Sequence, residues 1–392
     1  MNVKVSKNIN ILICFNFFYM FLVIVPVLVP YFTFLGLTMS QILIVQAIFG
    51  IVMAIFEIPS AYIGDLFGRK AVLCLGSFIS MTGFLFLLRA DNFYSLVIYE
   101  VLLGVGASFV SGADLSLLFD SIENDRQLIV KTLSSFQSAA LIGEALAALL
   151  CGIIVVYSFK YVIYLQVFVG CIPFFISLFL VESDYVKMNT TSHMKNFREL
   201  FGFIFKDEII LRQIFINMTI CSLSTFFAIW TIQKYWSDNG LELSQIGYFW
   251  MVCNLLAALT GKVASRIETK IGTLWVLFLI SILPVVAYIT MGLTQSVVGL
   301  MSVLLFYISR GLNMVVYKEA FNHRIPTKFR NTANSISSFV FRVSFFIFAP
   351  LIGYSIDTVG MSLTFIYLSI LFISLFFIFC IPFLISLRKF NP

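Results

Sequence analysis

Charge is what this sequence has least of. Its 25 Lys and Arg and 19 Asp and Glu make up 11% of 392 residues, against about 25% in soluble domains, so water is not its main solvent. Histidine is nearly missing: only His193 and His323 occur, both in hydrophilic segments, which excludes a histidine metal centre or a histidine-based triad. No G-x-x-x-x-G-K-[ST] phosphate loop is present, so this chain does not hydrolyse ATP by itself. No cofactor motif or pore-filter motif stands out either, and neither an enzyme, a cofactor nor a bound metal is expected. The seven cysteines all fall inside apolar runs with no metal-ligand spacing and read as small packing residues. The net charge of +6 sits in short loops between apolar runs, which is not a nucleic-acid footprint. A cleaved leader is not expected: Lys4 and Lys7 precede an apolar run too long for a signal-peptide core.

What is present is apolar. Hydrophobic residues make up 60% of the chain, 45 residues are Phe, and mean hydropathy is +1.02. A membrane-spanning helix needs about 20 apolar residues. Twelve stretches meet that need: 9–31, 41–63, 71–89, 93–119, 132–157, 161–181, 209–233, 244–265, 273–292, 296–319, 332–356 and 361–386. The expected fold is an all-α, multi-pass membrane protein of twelve transmembrane helices, surrounded by lipid and monomeric. The loops between these spans place 20 of the Lys and Arg on one face. Arg89, Lys160 and Lys234 fall on the other, and Arg310 and Arg342 lie inside helices. By the positive-inside rule both termini are expected in the cytoplasm, which makes this a cytoplasmic (inner) membrane protein.

The longest hydrophilic segment, 182–208, carries charges of both signs and an amphipathic piece around 197–205. It reads as a cytoplasmic linker whose amphipathic piece lies on the membrane surface, dividing an N-terminal bundle (1–181) from a C-terminal one (209–392). An internal repeat supports that division. G-L-T-M-S-Q-I at 36–42 recurs as G-L-E-L-S-Q-I at 240–246, an offset of 204 that also carries Gly68 onto Gly272.

Between the second and third spans runs Gly64-Asp65-Leu66-Phe67-Gly68-Arg69-Lys70. It is similar to the signature loop of the major facilitator superfamily, roughly G-x-x-x-D-R-x-G-R-K. Asp65, Gly68, Arg69 and Lys70 match, while Ala61 and Leu66 replace the first glycine and the first arginine. In the fourth span, Glu100 and Gly104 stand where drug:proton antiporters show R-x-x-x-G, with glutamate in place of arginine. Ser111-Gly112-Ala113-Asp114 and Leu118-Phe119-Asp120-Ser121 resemble S-G-A-D/E and L-Y-D-S of an antiporter-like branch. The resemblance covers essentially the whole chain. It implies two pseudo-symmetric six-helix bundles built as parallel repeats, a central cavity lined by helices 1, 4, 7 and 10, and transport by alternating access. It also implies gating roles for Asp65, Gly68, Arg69, Lys70 and Asp120. Arg69 is then the partner of Asp120, and Asp65 sits near the start of helix 11, where the helix dipole favours an anion.

Ionisable residues in hydrocarbon are costly, so those retained are functional candidates. The N-terminal half keeps Glu57, Glu100, Asp114, Asp120 and Glu144; the C-terminal half keeps Arg310 and Arg342. Glu100 and Asp114, 14 residues apart, share a face of one continuous helix about 21 Å apart. Glu144, Asp114 and Glu100 are the candidates for proton coupling, because a carboxyl in an apolar interior can take up and release a proton. Arg310 is the candidate anchor for an anionic group, since its planar fork suits carboxylate or phosphate. Asn313, Tyr317, Asn16, Tyr19, Asn217, Trp230 and Arg342 are further candidate contacts to a small-molecule substrate, each alternatively a packing residue. Three functions remain open on these residues. The first is proton-coupled efflux of amphipathic compounds, and the second is movement of an anionic metabolite or carboxylate siderophore held by Arg310. The third is a non-transporting receptor or passive conduit for lipid or solute.

Overall fold

In hydrocarbon each backbone N–H and C=O must be satisfied within the protein, so long apolar runs become helices. The computed structural model describes residues 3–122, 126–182, 208–326 and 330–390. The first elements are α1 (Val3–Tyr19), a 3-10 turn (Val25–Val27), α2 (Leu28–Phe34), α3 (Met39–Phe67) and α4 (Arg69–Leu87). Then come α5 (Phe93–Val110), α6 (Ala113–Asp120), α7 (Arg126–Ile154), α8 (Phe159–Leu178), α9 (Ile209–Asp238) and α10 (Leu243–Ile271). The chain ends in α11 (Thr273–Leu293), α12 (Val297–Arg324), α13 (Arg330–Val359), α14 (Met361–Leu375), a π turn (Phe376–Cys380) and α15 (Ile381–Phe390). Among the described residues, eleven helical segments are long and apolar enough to cross a membrane, and the first passage is made of shorter pieces. The amphipathic piece expected at 197–205, with most of the expected linker, lies outside the described residues.

The chain forms two compact units. One is Met1–Thr190 with Glu242–Met251, the other Thr191–Leu241 with Val252–Pro392. Each has its own apolar core, around Leu12, Leu73 and Leu117 in the first and around Leu211, Leu277 and Phe321 in the second. The repeat seen in the sequence recurs bond for bond. Gly36 and Gly240 take φ of 87° and 85°. Gly36 N donates to Thr33 O and Leu37 N to Phe32 O; at the same offset Gly240 N donates to Ser237 O and Leu241 N to Trp236 O. Gln41 Oε1 accepts from Thr38 N at 3.1 Å and Gln245 Oε1 from Glu242 N at 2.9 Å. Gly68 and Gly272, the next pair, take φ of 96° and 87°.

Two of the expected continuous helices are broken. The first span stops at Tyr19 and resumes only at Val25. Pro26 and Pro30 have no N–H to give the preceding turn, which frees carbonyls and disfavours a regular helix there. One of the amides in the break is recovered from a distance: Ile24 N donates to Gln166 Oε1 of α8 at 3.2 Å. The fourth span breaks between α5 and α6 at Gly112, whose φ is +86°, a conformation glycine adopts without a steric penalty. Glu100 and Asp114 therefore lie on separate helices, and the shared face expected from a continuous one does not exist.

Helix contacts in lipid depend on close packing rather than on a hydrophobic drive. A Cβ on Gly106 of α5 would lie 2.8 Å from Gly76 O of α4, and one on Gly104 would lie 2.9 Å from Phe49 O of α3. A Cβ on Gly311 of α12 would come within 2.4 Å of Ala257 O of α10. These glycines let three helix pairs approach backbone to backbone. Large apolar side chains such as Phe168, Phe179 and Leu351 are exposed, as suits a chain whose solvent is lipid.

Candidate functional site

The first unit holds the carboxyl groups. Glu100 is 4% exposed. Its Oε1 accepts a 2.8 Å hydrogen bond from Gln46 Nε2 of α3, a neutral partner rather than a cation. Asp114 has a different setting. It opens α6 just beyond the Gly112 break, and its Oδ1 accepts from Leu115 N at 2.6 Å. A carboxylate in the first turn of a helix answers backbone N–H groups that have no intrahelical partner. Tyr19, the last residue before the break in the first span, stacks on Phe15 with ring centroids 5.6 Å apart. Glu144 is half-buried in α7, next to Gly143, which packs against the Phe17 carbonyl of α1.

One end of this unit is tied by polar contacts. Arg69 Nη1 pairs with Asp120 and also donates to Ser116 O at 2.8 Å, placing a cation beside the last carbonyls of α6. The start of α4 is held by Glu182, a residue the sequence reading left in the linker. Glu182 Oε1 accepts from Arg69 N at 2.9 Å and Oε2 from Lys70 N at 3.0 Å. Gly68 leaves the space for it, since a Cβ there would be 2.4 Å from Oε2. Asn8 completes the tie: Nδ2 donates to Ser121 Oγ (3.2 Å) and Val181 O (2.8 Å), and Oδ1 accepts from Val181 N (2.9 Å). The Asp65 side chain, expected near the start of helix 11, lies outside the described residues.

The second unit holds the guanidinium groups. Arg310, midway along α12, is half-buried, and its side chain has no hydrogen bond or ion pair among the described residues. Arg342 Nε donates to Ser338 Oγ one turn back at 3.0 Å. Asn313 Nδ2 donates to Ser222 Oγ of α9 at 3.0 Å. Asn217 gives its amide to Gln213 O and Phe379 O (2.9 and 3.3 Å), and Tyr317 is wholly buried, stacked on Phe383. Trp230 packs edge-on to Phe226. In the first unit Asn16 Nδ2 goes to Phe136 O of α7 at 2.9 Å. The side-chain N–H groups of Asn16, Asn217 and Asn313 thus join helices, while the Asn313 Oδ1 is buried without a partner among the described residues.

Sequence reasoning missed Gln46, Gln166 and Glu182. The first two are amides alone in apolar runs, and the rule applied to ionisable residues would have found them had it been extended to amide side chains. Glu182 carries no such signal, because it resembles any charge at the start of a hydrophilic segment.

Comparison with known proteins gives a consistent outcome. The family model of the Major Facilitator Superfamily matches residues 10–347. The chain is 22% identical over 363 residues to an uncharacterized MFS-type transporter of Methanocaldococcus jannaschii, covering 90% of this chain and 92% of that one. It is 24% identical over 252 residues to the quinolone resistance protein NorA of Staphylococcus aureus, covering 62% and 63%. Among solved structures it resembles a variant of the nucleoside transporter NupG (TM-score 0.76, 14% identity, 96% and 99% of the two chains). It likewise resembles a variant of the peptide transporter POT (TM-score 0.78, 14% identity, 98% and 94%). At that identity the solved structures speak for the fold alone.

Proposed function

This chain belongs to the Major Facilitator Superfamily, and on that premise we propose that it is a proton-coupled transporter exporting amphipathic small molecules. It acts by alternating access, as a monomer in the cytoplasmic membrane with both termini in the cytoplasm. The observation that carries the reading is Glu100. A carboxylate fixed beside a cation stays charged, whereas one set against a neutral amide in an apolar bundle can exchange a proton. Gln46 is such an amide. Asp114 and Glu144 are the other two proton-coupling candidates, and the gate consists of Asp65, Gly68, Arg69, Lys70 and Asp120. The likeness to NorA supports export as the direction.

The test is transport by the purified chain in liposomes under an imposed pH step. Glu100→Gln should abolish proton-driven movement while leaving downhill exchange intact. Undiminished proton-driven transport by that variant would rule out Glu100 as the coupling group. Ligand binding with no translocation at all would instead favour a receptor, and flux indifferent to the pH step a passive conduit.

A second reading rests on Arg310. A guanidinium midway along an apolar helix, without a partner among the described residues, suits the carboxylate of an anionic metabolite or siderophore. Arg310→Lys should then weaken binding of such anions and leave cationic dyes unaffected; equal affinity for the anion in both proteins argues against the anchor.

A further inference from the structure

Three elements of the second unit bring two thiols to a single hydroxyl. Ser281 Oγ of α11 lies 3.5 Å from Cys221 Sγ of α9 and 3.3 Å from Cys380 Sγ at the end of the π turn. Both cysteines are buried. The two sulfurs are thus no farther apart than these two contacts laid end to end. The Ser281 hydroxyl itself donates to Leu277 O at 3.0 Å, which leaves its lone pairs facing the thiols.

The matching place in the first unit shows what is unusual here. The offset of 204 carries Ser77 onto Ser281, and Ser77 Oγ meets Ser177 Oγ at 3.3 Å. Ser177 maps onto Ile381, but the wide turn over Phe376–Cys380 presents Cys380 to Ser281 instead. A π turn inside a helix is rare and concentrates at functional sites. Beside it lies a cavity of about 10 Å³ lined by Cys221, Ser281, Cys380, Asn217 and Ser224, the room needed by one water-sized particle.

A larger pocket lies in the same unit. It has a volume of about 330 Å³, and its charged lining consists of Glu268, Glu319 and Arg324, with His323 beside them. Tyr317, wholly buried, is among the residues that line it.

Among the described residues there is no group of three or more His, Cys, Asp or Glu that could hold a metal, so a tetrahedral zinc site is not supported. Two sulfurs without a third ligand suit a soft ion of low coordination number. We propose that Cys221 and Cys380 form a two-sulfur site for one soft monovalent cation of the Ag⁺ or Cu⁺ class. One thiol releases its proton to solvent as the ion binds. Cation, thiolate and remaining thiol are then neutral together, which an apolar interior tolerates far better than a net charge. The bound ion joins α9 to the last span across α11.

The test is Ag⁺ binding by the full chain in detergent with excess methionine as a thioether competitor. Wild type should retain one Ag⁺ through gel filtration and release one proton per ion bound. A second ligand on one scaffold strengthens binding by roughly 10²–10⁴-fold, so Cys221→Ser and Cys380→Ser should each bind about 10²-fold more weakly or worse. Cys253→Ser, which removes a buried thiol elsewhere, should bind as wild type does. Retention equal to that of wild type in Cys221→Ser or Cys380→Ser, or none in wild type, overturns the proposal. X-ray absorption on the wild-type Ag⁺ complex needs no variant and should show two sulfur neighbours. A shell with one sulfur refutes the site even if a serine variant fails to fold.

Discussion

The Glu182 carboxylate at the start of α4 can be removed and its contribution measured. It accepts two backbone N–H groups at 2.9 and 3.0 Å. A capping side chain contributes up to about 2 kcal/mol, and a charged acceptor at a helix N-terminus belongs near the top of that range. Glu182→Ala should therefore destabilise the first unit by about 2 kcal/mol. Glu182→Gln keeps one carbonyl acceptor without the charge and should cost about half as much. Gly68→Ala makes the argument stricter. A Cβ there is forced into φ +96°, ψ 158° and meets Oε2 at 2.4 Å, so the variant loses the cap and adds backbone strain of about 1–3 kcal/mol. In a Glu182→Ala background only the strain remains. The double-mutant cycle should thus show a coupling of about 2 kcal/mol. The assay is reversible unfolding in mild detergent by SDS or urea, alongside hydrogen exchange at the Arg69 and Lys70 amides. Additive effects, or unchanged protection of those two amides in Glu182→Ala, would show that the carboxylate does not hold the helix.

Three further perturbations probe the broken helices and Asp114. Gly112→Ala meets no atom within 4 Å, so it should cost only the positive-φ strain of about 1–2 kcal/mol, read as a lowered unfolding midpoint; a loss of under about 0.5 kcal/mol would deny that strain. Gln166→Leu leaves the Ile24 N–H without its acceptor and should destabilise by about 1–3 kcal/mol, with faster exchange at that amide as the specific readout. Asp114→Asn keeps an acceptor for Leu115 N and should hold stability within about 0.5 kcal/mol of wild type, while Asp114→Ala should lose about 1 kcal/mol. Proton-driven transport lost in Asp114→Asn at full stability would separate coupling from capping.

Helix number, the two-fold repeat and the Arg69–Asp120 pair were legible in the sequence because each rests on a local pattern. Span length follows from bilayer thickness, and the repeat at 36–42 and 240–246 reproduces its own turn chemistry wherever it occurs. The breaks were not legible. Proline is tolerated in membrane helices when a neighbour satisfies the freed backbone, and for Ile24 that neighbour is Gln166, 142 residues away. Ser111-Gly112 reads equally as a packing motif or a break, and only the backbone angle distinguishes them. The site was legible as a set of residue types but not as an arrangement. Asn16 and Asn217 looked like contacts for a substrate, yet carbonyls on neighbouring helices take up their amides.

The fractured first span has a consequence for how the protein is made. α1 has 17 residues, about 25 Å of helix, short of the roughly 30 Å of a bilayer's hydrocarbon. While the ribosome is still translating the middle of the N-terminal half, the acceptor for Ile24 has not yet been synthesised. The first span of the repeat is thus completed only when the sixth has been made, and a nascent chain stalled before Gln166 should show faster exchange at its Ile24 amide than the full chain does.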